Sequence, residues 1–318
     1  MMKKTILTSI LPALALLFTG CHNSDDPEAV NQPALVLVGA VYDIDAESSS
    51  IWHSGQAFGV YMLDNDHAPI AANVKHLADN RGTTGYLVPE GASLYLPADG
   101  RAVNITAYYP FDGMAVENGH ITTITVREGM AADACVWADA RNASGANPKV
   151  SLGFKSQLSQ IQGRLLNEDP ATARIVVRVN GAPRSCGFDV INGRYVGTPD
   201  CTSPIGATVK VTEGAFEFTA IVAATESAVN GPSIEITALD RNGKEIRTYP
   251  SVPLGEMLGL SGGRQFEQNT IYNLAGNLSA ENVDMKFTGS SPICILNWGT
   301  DPDEETGTII KNQKKLTI

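Results

Sequence analysis

Basic residues are scarce in this chain. Among its 318 residues, 23 lysines and arginines stand against 34 aspartates and glutamates, which gives a formal net charge of −11 at pH 7. Nucleic acids bind proteins through basic faces, because their phosphates pair with lysine and arginine. The composition therefore argues against a nucleic-acid partner and indicates a solvated, self-repelling surface.

Long apolar runs are equally few. The most prominent one, Thr5–Gly20, follows Lys3 and Lys4 and is interrupted by Pro12. It is shorter than the roughly 20 residues that a membrane-spanning helix needs. A basic start, a short apolar stretch and small residues at its end are typical of a signal peptide. We therefore predict a signal peptide at residues 1–20, export, and no transmembrane helix.

Cysteine is rare, and no two cysteines have the C-x-x-C spacing of a zinc site. Cys186 and Cys201 flank a segment that predicts a hairpin with its turn at Asn192-Gly193. An irregularity around Gly197–Pro199 would bring the two cysteines together, and an exported location permits disulfides. Cys186 and Cys201 are therefore a candidate disulfide, and two buried free thiols are the alternative.

Catalytic motifs are missing or out of context. Ser261 lies in a G-x-S-x-G match, but all five histidines precede it and the α/β pattern of that motif is absent. Three acidic pairs lack the glycine and glutamate spacing of a calcium loop, namely Asp43/Asp45, Asp64/Asp66 and Asp301/Asp303. The sequence predicts no catalytic residue, no metal site and no cofactor, and hence no enzyme.

Helical periodicity is confined to two short segments, Ala71–Asp79 and Leu254–Leu260. Elsewhere β-branched or alternating apolar runs are separated by turns rich in glycine, of which the chain has 30. This pattern predicts an all-β fold with few short helices, arranged as two β-sandwich domains in tandem. We place the domains at residues 34–160 and 161–318.

Four aromatic residues form a second group of interest. Trp52, Tyr108, Tyr109 and Phe111 could stack against a sugar ring, or they could belong to the core. Neighbouring residues of a strand point to opposite faces, so one of Tyr108 and Tyr109 is expected to be buried. We favour the core interpretation.

The end of the signal segment, Phe-Thr-Gly-Cys at residues 18–21, resembles a bacterial lipobox. Phe18 takes the position where leucine is usual. The resemblance implies that the thiol of Cys21 is acylated, that Cys21 becomes the mature N-terminus, and that residues 21–33 form an acidic linker. The alternative is an ordinary signal with Cys21 incidental.

The acidic residues behind Cys21 resemble a sorting signal. Ser24, Asp25 and Asp26 match the Ser-Asp-Asp type, which sends lipoproteins to the outer face of the outer membrane in some Gram-negative anaerobes. The resemblance implies a lipid-anchored protein exposed on the cell outer membrane.

A series of short motifs follows in order along the chain: Trp52–Met62, Ala107–Phe111, Cys135–Ala138, Leu152–Phe154, Leu158–Ile161, Asn269–Leu274 and Ile295–Trp298. In this order they resemble the fimbrillins, the Mfa-like type V pilins of Gram-negative anaerobes. Ser156 stands where that family often has histidine, which we interpret as packing variation. The resemblance implies transthyretin-like domains and a non-catalytic subunit that builds, anchors or assists a surface fimbria.

The resemblance also implies assembly by strand exchange with other fimbrial subunits. Proteolysis after an arginine near the N-terminus removes the first strand, here the candidate Leu35–Ile44, and a neighbour's strand fills the groove. Residues 308–318 are a candidate donor strand for a neighbour, or an edge strand of the second domain. No lysine or arginine lies between Cys21 and Lys75, so the usual cleavage cannot release the first strand. Either another protease acts, or the protein keeps both its lipid and its first strand, and the second option favours an anchoring or accessory subunit.

A glycan-binding outer-membrane lipoprotein is the alternative function. It would share the acylated cysteine and the β-sandwiches, and it would use Trp52, Tyr108 and Tyr109 as an exposed platform. A host glycan or protein is a further candidate partner, whether the protein is a fimbrial subunit or a glycan-binding lipoprotein.

Overall fold

The computed structural model describes residues 32–40, 54–81, 84–226, 231–260 and 265–293. Strands make up 56% of these residues and helix 2%, which confirms the predicted all-β class. No helix in the described part of the chain is long and apolar enough to span a membrane.

The first half of the described chain contains nine strands. They are β1 (Val36–Ala40), β2 (Ala57–Leu63), β3 (Pro69–Arg81), β4 (Thr84–Pro89), β5 (Val103–Tyr109), β6 (Ile121–Thr125), β7 (Val136–Ala143), β8 (Lys149–Ser151) and β9 (Lys155–Ser156).

The second half contains twelve strands and one helical turn. They are β10 (Leu158–Asn167), β11 (Arg174–Asn180), β12 (Ser185–Asp189), β13 (Arg194–Asp200), β14 (Ile205–Gly206), β15 (Thr208–Thr212), β16 (Ala215–Ala223), β17 (Ser233–Leu239), β18 (Glu245–Thr248), β19 (Val252–Pro253), α1 (Leu254–Met257), β20 (Thr270–Leu278) and β21 (Val283–Pro292).

Eight of the first nine strands form one sheet in the order β8-β1-β4-β3-β2-β5-β7-β9. Only Leu152–Phe154 connects its two edge strands, so the sheet curls until its edges lie near each other. It wraps around a core that includes Leu37, Phe58 and Ile105. The strand β2 is buried on both faces, which explains its continuous apolar sequence.

The second half has two five-stranded arrays that share one core. One has the order β15-β16-β10-β20-β21, and the other has β14-β11-β17-β18 with β19 also paired to β17. Val177, Phe218 and Ile236 are among the side chains that meet between them. The first-half sheet ends with β9 at Ser156 and β10 begins at Leu158, close to the predicted boundary, although the two-domain division itself stays a prediction.

A small third sheet connects the two halves. It has the order β13-β12-β6, so β6 of the first half pairs antiparallel with β12 of the second. Tyr61, Tyr108 and Ile124 of the first half also lie in the core of the second. The halves are therefore joined by backbone pairing as well as by a shared apolar core.

One predicted helix is wrong. Ala71–Asp79 lies inside β3, which pairs with β2 on one side and β4 on the other. Pairing on both sides satisfies the backbone groups that a helix would satisfy internally, and it overrides local propensity. The other predicted helix is confirmed, as α1 lies within Leu254–Leu260.

The predicted hairpin is confirmed, but its turn is longer than the two residues expected. Asp189 pairs with Arg194, so the loop comprises residues 190–193, with Gly193 at a φ of +65°. The register then shifts between Ser185 and Gly187, which places the expected irregularity opposite Cys186.

Candidate functional site

The strand β1 is an internal strand although it comes first in the described chain. It lies antiparallel to β4 and parallel to β8, and Leu37 is opposite both Leu87 and Val150. Leu37 is 1% exposed and Val38 is 3% exposed. Burying two such side chains contributes about 3–6 kcal/mol. Removal of β1 would expose the apolar surface that Leu37 and Val38 cover and the backbone hydrogen-bonding groups of β4 and β8.

Lysine and arginine positions constrain how β1 could be released. The first basic residues after Cys21 are Lys75 and Arg81, and both lie within β3. β3 is paired on both sides, so cleavage there would cut the middle of the sheet and would not free β1 alone.

Several residues that the sequence singled out lie outside the described residues. They are Cys21, Ser24, Asp25, Asp26, Trp52, Ser261 and the candidate donor strand at 308–318. The predicted lipidation site and export signal therefore stay predictions.

The described cysteines Cys135, Cys186 and Cys201 are free thiols. The thiol of Cys186 donates to the backbone oxygen of Val196 at 3.4 Å, within the irregular part of the hairpin. Burial raises the pKa of Cys135 to about 12, so this thiol is inert at neutral pH. Cys186 and Cys201 are thus not bonded to each other in this structure, and a disulfide that forms between them on oxidation stays a prediction.

Tyr108 belongs to the core. It is 2% exposed, its hydroxyl donates to Oδ1 of Asn73 at 2.8 Å, and the same hydroxyl accepts from the backbone N–H of Asp112 at 3.1 Å. Its ring covers Gly59 on the neighbouring strand, where a Cβ atom would lie 2.1 Å from a ring carbon. The motif that contains Gly59 and the motif Ala107–Phe111 are thus in direct contact.

Tyr109 points the other way and is half-buried. Its ring packs against Phe58 with centroids 5.2 Å apart, and its hydroxyl accepts from Nε2 of Gln56 at 3.4 Å. Because Tyr108 is buried, Tyr108 and Tyr109 do not form an exposed, coplanar platform for a sugar.

A cleft of about 310 Å³ lies between the small sheet and the eight-stranded sheet. It is lined by Tyr108, Tyr109, Pro110, Thr122, Thr123, Ile124, Thr125, Arg127, Met130, Cys135, Val136, Gln157 and Phe188. These residues are distant in the chain, and although some of them lie in the motifs Ala107–Phe111 and Cys135–Ala138, no sequence signal placed them around one cleft. Their juxtaposition depends on the pairing of β6 with β12.

The acidic pair that the structure describes has a structural role. Oδ1 of Asp64 accepts from the backbone N–H groups of Asp66 and Ala68 at 2.9 and 2.8 Å, and so holds the turn between β2 and β3. Within the described ranges, no group of three or more metal-ligating side chains is close enough to hold an ion.

Comparison with known proteins places this architecture in a family of surface-fibre proteins. Residues 44–291 match the family model described as fimbrillin-like. The chain therefore belongs to the fimbrillin-like family, which confirms the resemblance seen in its motifs.

Individual proteins are similar to this chain in sequence or in fold. A proposed fimbrium subunit, Fim1C of Bacteroides uniformis, is 25% identical over 223 residues, which cover 66% of this chain and 71% of that protein. A proposed cell adhesion protein from the same species shares the fold, with a TM-score of 0.65, 18% identity, and coverage of 83% of this chain and 100% of that one. The tip fimbrial protein Mfa3 of Porphyromonas gingivalis has a TM-score of 0.51, 9% identity, and coverage of 82% and 100%.

Proposed function

We propose that this protein is a lipid-anchored subunit of a cell-surface fimbria, with an anchoring or accessory role in adhesion and no catalytic activity. The observation that carries the proposal is the position of β1 between β4 and β8 in a fimbrillin-like chain. The relatives named as fimbrial or adhesion proteins support the same function. Cys21 would carry the lipid, and Ser24, Asp25 and Asp26 would direct the protein to the outer face of the outer membrane.

Strand exchange with neighbouring subunits is the proposed mode of assembly. A strand in the place of β1 gains hydrogen bonds from β4 and β8 and buries alternate side chains, so it is held on both sides. Residues 308–318 are the candidate strand that this subunit donates to a neighbour.

The anchoring role follows from the proposed retention of β1. No lysine or arginine lies between Cys21 and Lys75, and Lys75 lies inside β3. A protease that cleaves after lysine or arginine therefore has no site at which it could release β1. A subunit that keeps both its lipid and its first strand can end a fibre at the membrane, whereas a stalk subunit must accept a neighbour's strand.

The glycan-binding alternative has less support. It required Tyr108 and Tyr109 as an exposed pair, and Tyr108 is committed to the core by burial and two hydrogen bonds.

Cell fractionation tests the proposal. Cells are sheared, and membranes and supernatant are probed with an antibody against the protein on unboiled SDS gels. We expect SDS-resistant, high-mass bands that stay with the membranes until detergent is added. Cys21→Ala should move the protein to soluble fractions, whereas the matched control Cys201→Ala should not. Persistent monomer, or unchanged membrane association of Cys21→Ala, would contradict the proposal.

A further inference from the structure

The cleft beside β6 runs along the free edge of a strand. Four consecutive residues of β6, Thr122–Thr125, line it. Successive side chains of a strand point to opposite faces, so a cavity that touches four residues in a row must follow the edge of the strand. In the described part of the molecule, β6 pairs with β12 alone, and its other edge faces the cleft.

The backbone groups at this edge can be assigned from the pairing. The N–H of Val126 donates to Arg184 at 2.8 Å, and the N–H of Val190 donates to His120 at 3.0 Å. Hydrogen-bonded positions alternate along an antiparallel pair, so the even-numbered residues of β6 bond to β12. Thr123 and Thr125 therefore direct their backbone N–H and C=O groups away from β12 and toward the cleft.

The remaining walls are apolar, with few polar groups. Met130 and Phe188 contribute apolar surface, and the volume lies at the lower end of the range for ligand pockets. Gln157 is 3% exposed, and its Oε1 accepts no hydrogen bond from the described residues. A buried acceptor without a donor costs about 1–3 kcal/mol, so a ligand that supplies a donor would be stabilised.

The charge of the cleft is distinctive for this protein. Arg127 is the only charged residue that lines it, and it forms no ion pair within the described ranges. The chain as a whole has a net charge of −11. The cleft thus offers an exposed guanidinium, which binds carboxylates well, on a surface that otherwise repels them.

We propose that this cleft binds an extended peptide segment of a partner protein, one that places an acidic residue next to apolar ones. The segment adds a strand to the free edge of β6, lays an apolar side chain against Met130 and Phe188, and pairs its carboxylate with Arg127. An unpaired strand edge is a ready template for such addition. This site is separate from β1, so the inference goes beyond the proposed function.

Binding of blocked pentapeptides to the mature full-length protein, in mild detergent, tests the inference. The probe acetyl-Glu-Val-Thr-Val-Glu-amide has an acid at each end, so either strand direction brings one toward Arg127. We expect saturable binding that weakens at least about tenfold when both glutamates become lysines. The negative net charge of the protein would favour the lysine probe over the glutamate probe. Tighter binding of the glutamate probe therefore has to come from the cleft.

Two protein variants separate the contributions of charge and backbone. Arg127→Ala should weaken binding about tenfold, whereas Arg174→Ala, an exposed arginine outside the cleft, should not. Thr123→Pro removes an N–H that faces the cleft and leaves the hydrogen bonds between β6 and β12 in place, so it should fold and lose binding. A probe with methylated amide nitrogens should also fail to bind.

Four outcomes would overturn the inference. They are no saturable binding of the acidic probe, equal binding of the methylated probe, unchanged binding by Arg127→Ala, and displacement of the probe by galacturonic acid at a comparable concentration. The last result would assign the cleft to acidic sugars. None of these outcomes depends on fimbrial assembly, so failure here leaves the proposed function standing.

Discussion

Two glycines of this protein lie beneath aromatic rings of the neighbouring strand. Gly59 is paired with Tyr108 and Gly163 with Phe218, and in both a Cβ atom would lie 2.1 Å from a ring carbon. A ring that lies across a glycine covers backbone that has no side chain of its own. Each half of the molecule thus contains one such cross-strand pair.

Gly59→Ala should destabilise the protein by about 1–3 kcal/mol, because the new methyl group overlaps the Tyr108 ring and Oδ1 of Asn73. The matched control is Gly153→Ala, where a Cβ atom meets nothing within 4 Å. Urea unfolding of both variants measures the difference. Equal midpoints for the two would show that the ring moves away at little cost.

Alkaline pH should reduce stability through Cys135. Burial raises its pKa from 9.0 to about 12, so above pH 9 the unfolded chain releases a proton that the native protein keeps. This contribution is complete below pH 9, is lost as the pH rises to 12, and amounts to up to about 4 kcal/mol. Unfolding free energies from pH 8 to 11.5 should fall less steeply in Cys135→Ala, and parallel curves would contradict the assignment.

At the scale of elements, the hairpin β12–β13 connects the halves of the molecule. Nε1 of Trp137 on β7 donates to the backbone oxygen of Val190 at 2.8 Å, and its ring lies on Gly193 at the turn. The hairpin therefore contacts the eight-stranded sheet through its loop and pairs with β6 through its strand β12. A substitution at the turn should therefore affect the packing of both halves.

Gly193→Ala tests this contact, because a Cβ atom there would lie 2.7 Å from the Trp137 ring. Gly197 of the same hairpin also has a positive φ, but a Cβ atom there would meet nothing within 4 Å. Both variants place an alanine at a positive φ, but only Gly193→Ala also overlaps a ring, so it should be the less stable by about 1–3 kcal/mol. Thermal unfolding measures the difference in stability between the two variants. Equal unfolding temperatures would mean that the Trp137 ring is loosely held.

A reversible crosslink tests whether β1 stays in place. Leu37 and Leu87 are directly opposite in an antiparallel pair, a separation that suits a disulfide. If the subunit keeps β1, Leu37→Cys combined with Leu87→Cys should form the same high-mass bands as either single variant. Loss of the bands in the double variant, restored by a reducing agent, would show that β1 must leave.

The class of fold could be predicted from the sequence because alternation and turn residues are local signals, whereas the family was suggested by the resemblance of several short motifs in order. The helix expected at Ala71–Asp79 failed because partners on both sides, which the sequence does not reveal, decide the state of β3. The insertion of β1 between β4 and β8 and the cleft beside β6 depend on pairings between distant segments. Tyr108 could be assigned to the core only in part, since alternation shows that one of two tyrosines is buried but not which one.

At the scale of the whole molecule, the halves form one interlocked body. Pairing of β6 with β12 and the shared core join them, so the described halves are connected by more than the chain that links β9 to β10. A fimbrial subunit that also carries a lipid at Cys21 would use this continuity between membrane and fibre. This role requires the subunit to be lipidated, intact through β1 and present in the fibre at the same time.

Mass spectrometry of the high-mass bands tests that claim most directly. Trypsin cannot cut between Cys21 and Lys75, so one peptide carries both the proposed lipid and β1. We predict that bands excised from detergent-solubilised membranes contain this peptide with acylated Cys21. Bands whose first peptide begins after Ala40, or the lipidated peptide in the monomer band alone, would contradict the account.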